Sequence, residues 1–167
     1  MRRMVLLVTV AAALVALAGV ASAAPGSTDP DASKQLAEVR EATAKYQDES
    51  KARTDGYERT DHCIEDPKLG GMGYHYANMS ILDLQIDPLK PELLLYAPSG
   101  DGGRKLVAVE YMVPDVGQKH PTLFGKEFNG PMPGHEPGMP VHYDLHVWAW
   151  EANPNGIFAP FNPNVRC

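Results

Sequence analysis

Cysteine is almost missing from this chain: Cys63 and Cys167 are the only two. Two distant thiols with no C-x-x-C spacing argue against a cysteine-based metal site. Positive charge is also short, with 15 Lys and Arg against 21 Asp and Glu and a net charge of -6. No basic block interrupts that balance, so nucleic acid and anionic membrane surfaces are excluded as partners, and cationic ligands or metal ions are favoured. Three signatures of phosphate and acyl chemistry are absent as well. The glycines near residue 70 match neither the dinucleotide fingerprint nor a P-loop, and no G-x-S-x-G occurs. Beyond residue 20 there is no apolar run of the about 20 residues that a bilayer requires.

What is present begins with a leader. Arg2 and Arg3 precede a charge-free apolar run over 5–20, followed by Ala21-Ser22-Ala23, which reads as a secretory signal peptide (1–23) cut after Ala23. The residue after the cut is Ala24, so no lipid-carrying cysteine follows. Removing Arg2 and Arg3 takes the net charge from -6 to -8. Residues 24–30 are small, polar and Pro-containing and read as a disordered leader. Residues 31–167 then suit one compact domain. Export places that domain in a secreted or extracytoplasmic, oxidising compartment, where Cys63 and Cys167 have one intramolecular pairing open to them. In the chain-entropy model, closing a loop of about 100 residues contributes at most about 4.7 kcal/mol.

From Asp31 the pattern is helical. Leu36, Val39, Thr43 and Tyr46 recur at spacings of three and four, and Gly56 is a plausible stop. The thin apolar stripe predicts a helix lying on a sheet. The segment M-G-Y-H-Y-A-N at 72–78 predicts a short strand with His75 on one face and Tyr74 and Tyr76 on the other, its glycines admitting close backbone approach. Residues 93–97 and 105–113, joined by S-G-D-G-G, predict a hairpin. In its second strand Val107, Val109, Tyr111 and Val113 alternate with Leu106, Ala108, Glu110 and Met112, so Glu110 is a carboxylate set in an apolar pattern and wants a partner. Residues 114–140 are rich in Pro and Gly, with Leu123, Phe124 and Phe128 as anchors and His120 and His135 among them. A connection of that length without regular structure suggests a lid or binding loop.

The richest chemistry lies at 140–150, P-V-H-Y-D-L-H-V-W-A-W. As a strand over 141–151 it places His142, Asp144, His146, Trp148 and Trp150 on one face and Tyr143, Leu145, Val147 and Ala149 on the other. His142 and His146 are about 13 Å apart at strand rise, so only one of them joins a given site. Cross-strand sets of His75 and Glu110 with either His146 or His142 fit the spacing of neighbouring strands. Two imidazoles and a carboxylate suit a divalent ion such as zinc, iron or manganese, with His75, Glu110 and His146 as the ligand set. They suit a proton-relay pocket equally. The plainer alternative is that these groups are satisfied polar pairs within the sheet and the tryptophans are core.

Two resemblances bear on this. The cupin barrel's metal motif begins His-x-His, whereas this chain has His-x-x-x-His, a partial likeness that ranks as an alternative. The segments A-T-A-K-Y, D-G-Y, G-G-M-G-Y-H-Y, L-V-A-V-E-Y, H-Y-D-L-H-V-W-A-W and N-P-N-V-R-C resemble a family of uncharacterised secreted bacterial proteins, with no activity to carry over. That pattern has His after the helix tyrosine, where this chain has Gln47.

The sequence therefore predicts an exported α+β protein: an N-terminal helix packed on an antiparallel β-sheet of four to five strands, with one disulfide. His75, Glu110, His142, Asp144, His146 and Trp148 are the candidate ligand-binding residues of a pocket for a small molecule or metal ion. The expected function is a non-catalytic binding module, with a metal-assisted or acid-base enzyme using the same pocket as the alternative.

Overall fold

The computed structural model describes residues 30–60, 62–134 and 138–167. The signal segment, the leader up to residue 29 and His135 lie outside the described residues. A layer of short helices covers one face of an antiparallel sheet, and the disulfide joins Cys63 to Cys167, so the fold is α+β.

Helix α1 (Pro30–Thr43) begins at Pro30, one residue earlier than expected, because proline is tolerated in a first helical turn. The predicted stripe is real: Leu36, Val39, Thr43 and Tyr46 are all buried. The helix is not continuous, however. A single 3-10 turn (Ala44–Gln47) follows, and α2 (Glu49–Thr54) restarts because the Asp48 side chain accepts the Ser50 N–H and caps a new N-terminus. Gly56 then ends the helical region at φ +93, a conformation only glycine adopts without strain.

Strands β1 (Glu58–Arg59), β2 (Ile64–Asp66), β3 (Gly70–Ala77), β4 (Leu93–Pro98) and β5 (Arg104–Pro114) follow. After them come β6 (Thr122–Leu123), β7 (Lys126–Glu127), β8 (Asn129–Met132) and β9 (His142–Val147). The sheet runs β1-β3-β4-β5-β9-β8, with β2 also on β3, which makes seven strands rather than four or five. The four long strands are those the alternation predicts. The added ones, two to four residues each, carry too little pattern to be read and form by pairing on an existing edge. The 114–140 connection also differs from expectation. A turn at Phe124 and Gly125, both at positive φ, makes a two-residue hairpin of β6 and β7, and β8 pairs with β9. Phe124 and Phe128 enter the core, as expected of anchors, and Leu123 packs against it.

The two faces of the sheet have different lids. Tyr76, Leu94, Tyr96, Val109, Tyr111, Leu145 and Val147 face α1, α2 and the aromatic anchors. Ala77, Leu93, Leu95, Ala108 and Met112 face the other way, toward Trp148 and Val165. Strict alternation fails once in β5. Leu95 pairs with Ala108 and Tyr96 with Leu106, so Val107 is an extra residue in a bulge that turns it to the Ala108 side. Its carbonyl accepts the N–H groups of Trp150 and Glu151.

The glycines of β3 admit the C-terminal tail. Gly71 donates to the Asn162 and Val165 carbonyls and Asn162 donates back to Gly71; a Cβ at Gly71 would meet Val165 at 2.8 Å. The tail lies against β3 here, and the disulfide anchors its last residue. Among the described residues, no helix is long and apolar enough to cross a membrane.

A buried histidine-carboxylate cluster under the C-terminal tail

His75, Glu110 and His146 meet on the face of the sheet away from the helices. Register explains each placement. Glu110 pairs directly with His146 across β5 and β9, and with Leu93 across β5 and β4. His75 pairs with Leu95 on β4, so it stands one strand farther out and one same-face step along. Its imidazole reaches over the leucines of β4, placing Nε2 3.5 Å from Glu110 Oε2. His146 Nε2 is 3.8 Å from the same oxygen, and the two imidazoles stand edge to face with centroids 6.2 Å apart. One nitrogen or oxygen from each of the three residues lies within 4.8 Å of the others.

All three side chains are buried, yet neither Glu110 Oε2 nor either ring nitrogen of His146 makes a hydrogen bond within the protein. Leaving such atoms buried and unpaired costs about 1–3 kcal/mol each. Two nitrogen or oxygen ligands at about 2.1 Å from a tetrahedral ion lie about 3.4 Å apart. The observed 3.5 and 3.8 Å are close to that separation and too long for good hydrogen bonds. The donor set and its spacing therefore fit a transition-metal ion.

Asp144 stands behind the cluster. Its Oδ1 accepts from Asn129 Nδ2 at 2.9 Å and lies 3.9 Å from His146 Nδ1, the ring nitrogen turned away from Glu110. At that distance the carboxylate faces the imidazole without a hydrogen bond to it. His142 is not brought to the cluster. It sits at the start of β9 opposite Pro114, with Nδ1 3.0 Å from the Pro140 carbonyl oxygen. The strand geometry that allowed only one of His142 and His146 thus resolves in favour of His146.

Trp148 keeps the face that the alternation predicts but does not reach the pocket, and Trp150 changes sides, because β9 ends at Val147. Trp148 N–H leaves the sheet to bond the Ile157 carbonyl, and its indole Nε1 donates to the Ala159 carbonyl at 2.6 Å. Trp148 is buried in the apolar layer and is not part of the cavity wall. Trp150 crosses to the helical side, where its Nε1 donates to Thr43 Oγ1 at 3.1 Å. His120 is also structural: Nε2 bonds the Phe128 carbonyl and the ring packs edge-on against Tyr143.

The cluster opens on a cavity of about 450 Å³, walled by Met72, Met112, Met132, Met139 and Phe161 and floored by Leu93. A neighbouring cavity of about 370 Å³ shares Thr60, Leu93, Met112 and Met139 with it and contains Glu92. Glu92 precedes β4 and continues the β4–β5 ladder with its side chain, accepting Met112 N–H at Oε2. Burial pushes its carboxyl up to about 7, against the opposing pull of that bond, and the Asp83 and Glu110 charges add to the rise. Sequence reasoning missed Glu92 and the methionines. The run P-E-L-L-L-Y marks Glu92 as a carboxylate at a strand entry, whereas no periodicity links methionines on four different segments.

On the opposite face Glu49 accepts from Arg53 and from the Tyr76 hydroxyl and pairs with Arg104. Burial would raise its pKa, but these three partners together hold it below the ordinary range. This network ties α2 to the sheet.

Comparison with known proteins finds no match for this chain among protein-family models, curated proteins or solved structures.

Proposed function

We propose that this is an exported binding module in which His75, Glu110 and His146 hold one transition-metal ion beside the 450 Å³ cavity. The observation that carries the reading is the set of buried, unbonded donor atoms on Glu110 and His146, spaced with His75 as ligands rather than as hydrogen-bond partners. Two imidazoles and a carboxylate leave a fourth position at a four-coordinate ion, which a closed module fills and an enzyme keeps exchangeable. Asp144 supplies the outer carboxylate toward His146.

Export is supported by the apolar N-terminal run and its small-residue cleavage pattern. The intramolecular disulfide fits an oxidising compartment. N-terminal sequencing of the exported protein should begin at Ala24. The resemblance to secreted bacterial proteins agrees with that location and adds no activity.

The size of the cavity favours a second reading, a metal-assisted enzyme using the same ligands. Cobalt substitution separates the possibilities. Protein purified without a histidine tag should take up one Co(II) and show visible d–d bands, and His75→Ala or His146→Ala should lose them. Added azide shifting those bands would mark an exchangeable position, as an enzyme requires. Bands insensitive to azide would favour a closed binding module, and absence of uptake would remove both readings.

A further inference from the structure

We propose that the metal carried here is copper, received as Cu(I) along a methionine-lined route from the surface. The inference rests on the reading of His75, Glu110 and His146 as metal ligands and adds the identity of the ion.

The chain has seven methionines. Those at 1 and 4 precede the described residues, and all five others line one or both of the two adjoining cavities. Met72 and Met132 wall the cavity that contains the cluster; Met112 and Met139 belong to both; Met79 lines the neighbour and is 66% exposed. Methionine side chains thus line the cavities from an exposed position to the one that His75 and His146 also line. Methionine as mere gap filler would be spread through the interior, because a flexible thioether fits irregular packing anywhere. It is not spread: the larger apolar core under the helices contains Leu, Val, Ala, Ile, Tyr, Phe and Trp and no methionine. Every buried or half-buried methionine of the described residues is on the cavity side.

Chemistry gives that segregation a meaning. A thioether is neutral, soft and unprotonated at any ordinary pH, and it selects Cu(I) over zinc and manganese. Imidazole binds copper in either oxidation state, and affinity for nitrogen and oxygen donors peaks at Cu(II). A His-Glu-His cluster beside thioethers therefore accommodates copper better than any harder ion. Both cysteines are joined to each other, so a thioether is the only sulfur ligand these residues offer.

The test uses tag-free, metal-free protein under anaerobic conditions, titrated with Cu(I) against bicinchoninate and separately with Co(II). Cu(I) is expected to bind with sulfur in its first coordination shell by X-ray absorption. Met72→Leu/Met132→Leu should weaken Cu(I) binding about tenfold or more while leaving Co(II) binding unchanged. Leucine conserves volume, and near-ultraviolet circular dichroism checks the fold. Should that double variant not fold, Met79→Leu at the exposed position is expected to slow Cu(I) loading without changing the final affinity. Co(II) binding without Cu(I) binding, a copper shell of nitrogen and oxygen only, or thioether variants indistinguishable from the parent would overturn the copper assignment and leave the metal reading standing. Failure of both ions to bind would overturn both.

Discussion

His75 Nε2 lies 3.5 Å from Glu110 Oε2 although all of strand β4 separates their backbones. Two strand spacings amount to about 10 Å, so only side chains leaning over Leu93 and Leu95 can close the gap. The carboxylate is thereby held between an imidazole reaching from β3 and another paired to it on β9.

A buried carboxylate oxygen without a hydrogen bond opposes folding. Glu110→Gln should therefore raise the stability of metal-free protein by about 1 kcal/mol or more in urea unfolding with chelator present. The same variant should lose metal binding. A less stable metal-free Glu110→Gln would mean that the carboxylate forms a favourable ion pair with the imidazoles, and would count against the ligand reading.

Glu92 should make stability fall with pH. Its folded-state pKa is raised from 4.5 to about 7 by burial, so the folded chain holds a proton that the unfolded chain has lost in that interval. The contribution of Glu92 is then full below about pH 4.5, declines through the window and levels off above about pH 7. The full decline is on the order of 3 kcal/mol at about 1.4 kcal/mol per pH unit. Glu92→Gln should flatten this part of the profile of metal-free protein. An unchanged slope between pH 5 and 7, as about the unfolded and folded limits, would show that Glu92 is not its source.

Gly73 has φ +98, and a Cβ there would stand 2.4 Å from the Tyr96 carbonyl oxygen. Gly73→Ala should cost at least about 2 kcal/mol, since strain and backbone overlap add. Gly102→Ala is the control, with φ +84 but open space around it, and should cost only the about 1–2 kcal/mol of the left-handed conformation. Equal losses in thermal or urea unfolding would refute the close approach of β3 to β4.

The disulfide stabilises the wall of the cavity as well as the chain. Replacing Cys63 and Cys167 by serine should cost about 2–5 kcal/mol. Because Phe161 lines the cavity and Asn162 and Val165 bond Gly71 just before the disulfide, metal affinity should fall too. Metal affinity untouched by the double substitution would separate the tail from the site.

Several parts of this arrangement were legible in the chain, each through a period. The 3.6-residue spacing of Leu36, Val39, Thr43 and Tyr46 foretold the covering helix, though Asp48 broke it by capping a new turn. The two-residue period at 142–147 foretold which side chains of β9 share a face, and it failed only beyond Val147, where the strand stops and Trp150 changes sides. In β5 one bulged residue, Val107, reversed the assignment of a short stretch. The short strands and the 122–127 hairpin escaped because pairing to an existing edge, rather than their own pattern, makes them.

The sequence by itself determined the covering helix and the long strands, the pairing open to its two cysteines, and the placement of His75, Glu110 and His146 on strands. These follow from local periodicity and from counting, which need no knowledge of neighbours. Only the tertiary structure decided that the three residues share a face and a point in space. Strand order and register set that, and both depend on contacts between segments as much as 71 residues apart, from 75 to 146. The same holds for the methionines: nothing local relates Met72, Met112, Met132 and Met139, and only the packing of separate segments over one face of the sheet puts them on the walls of one cavity.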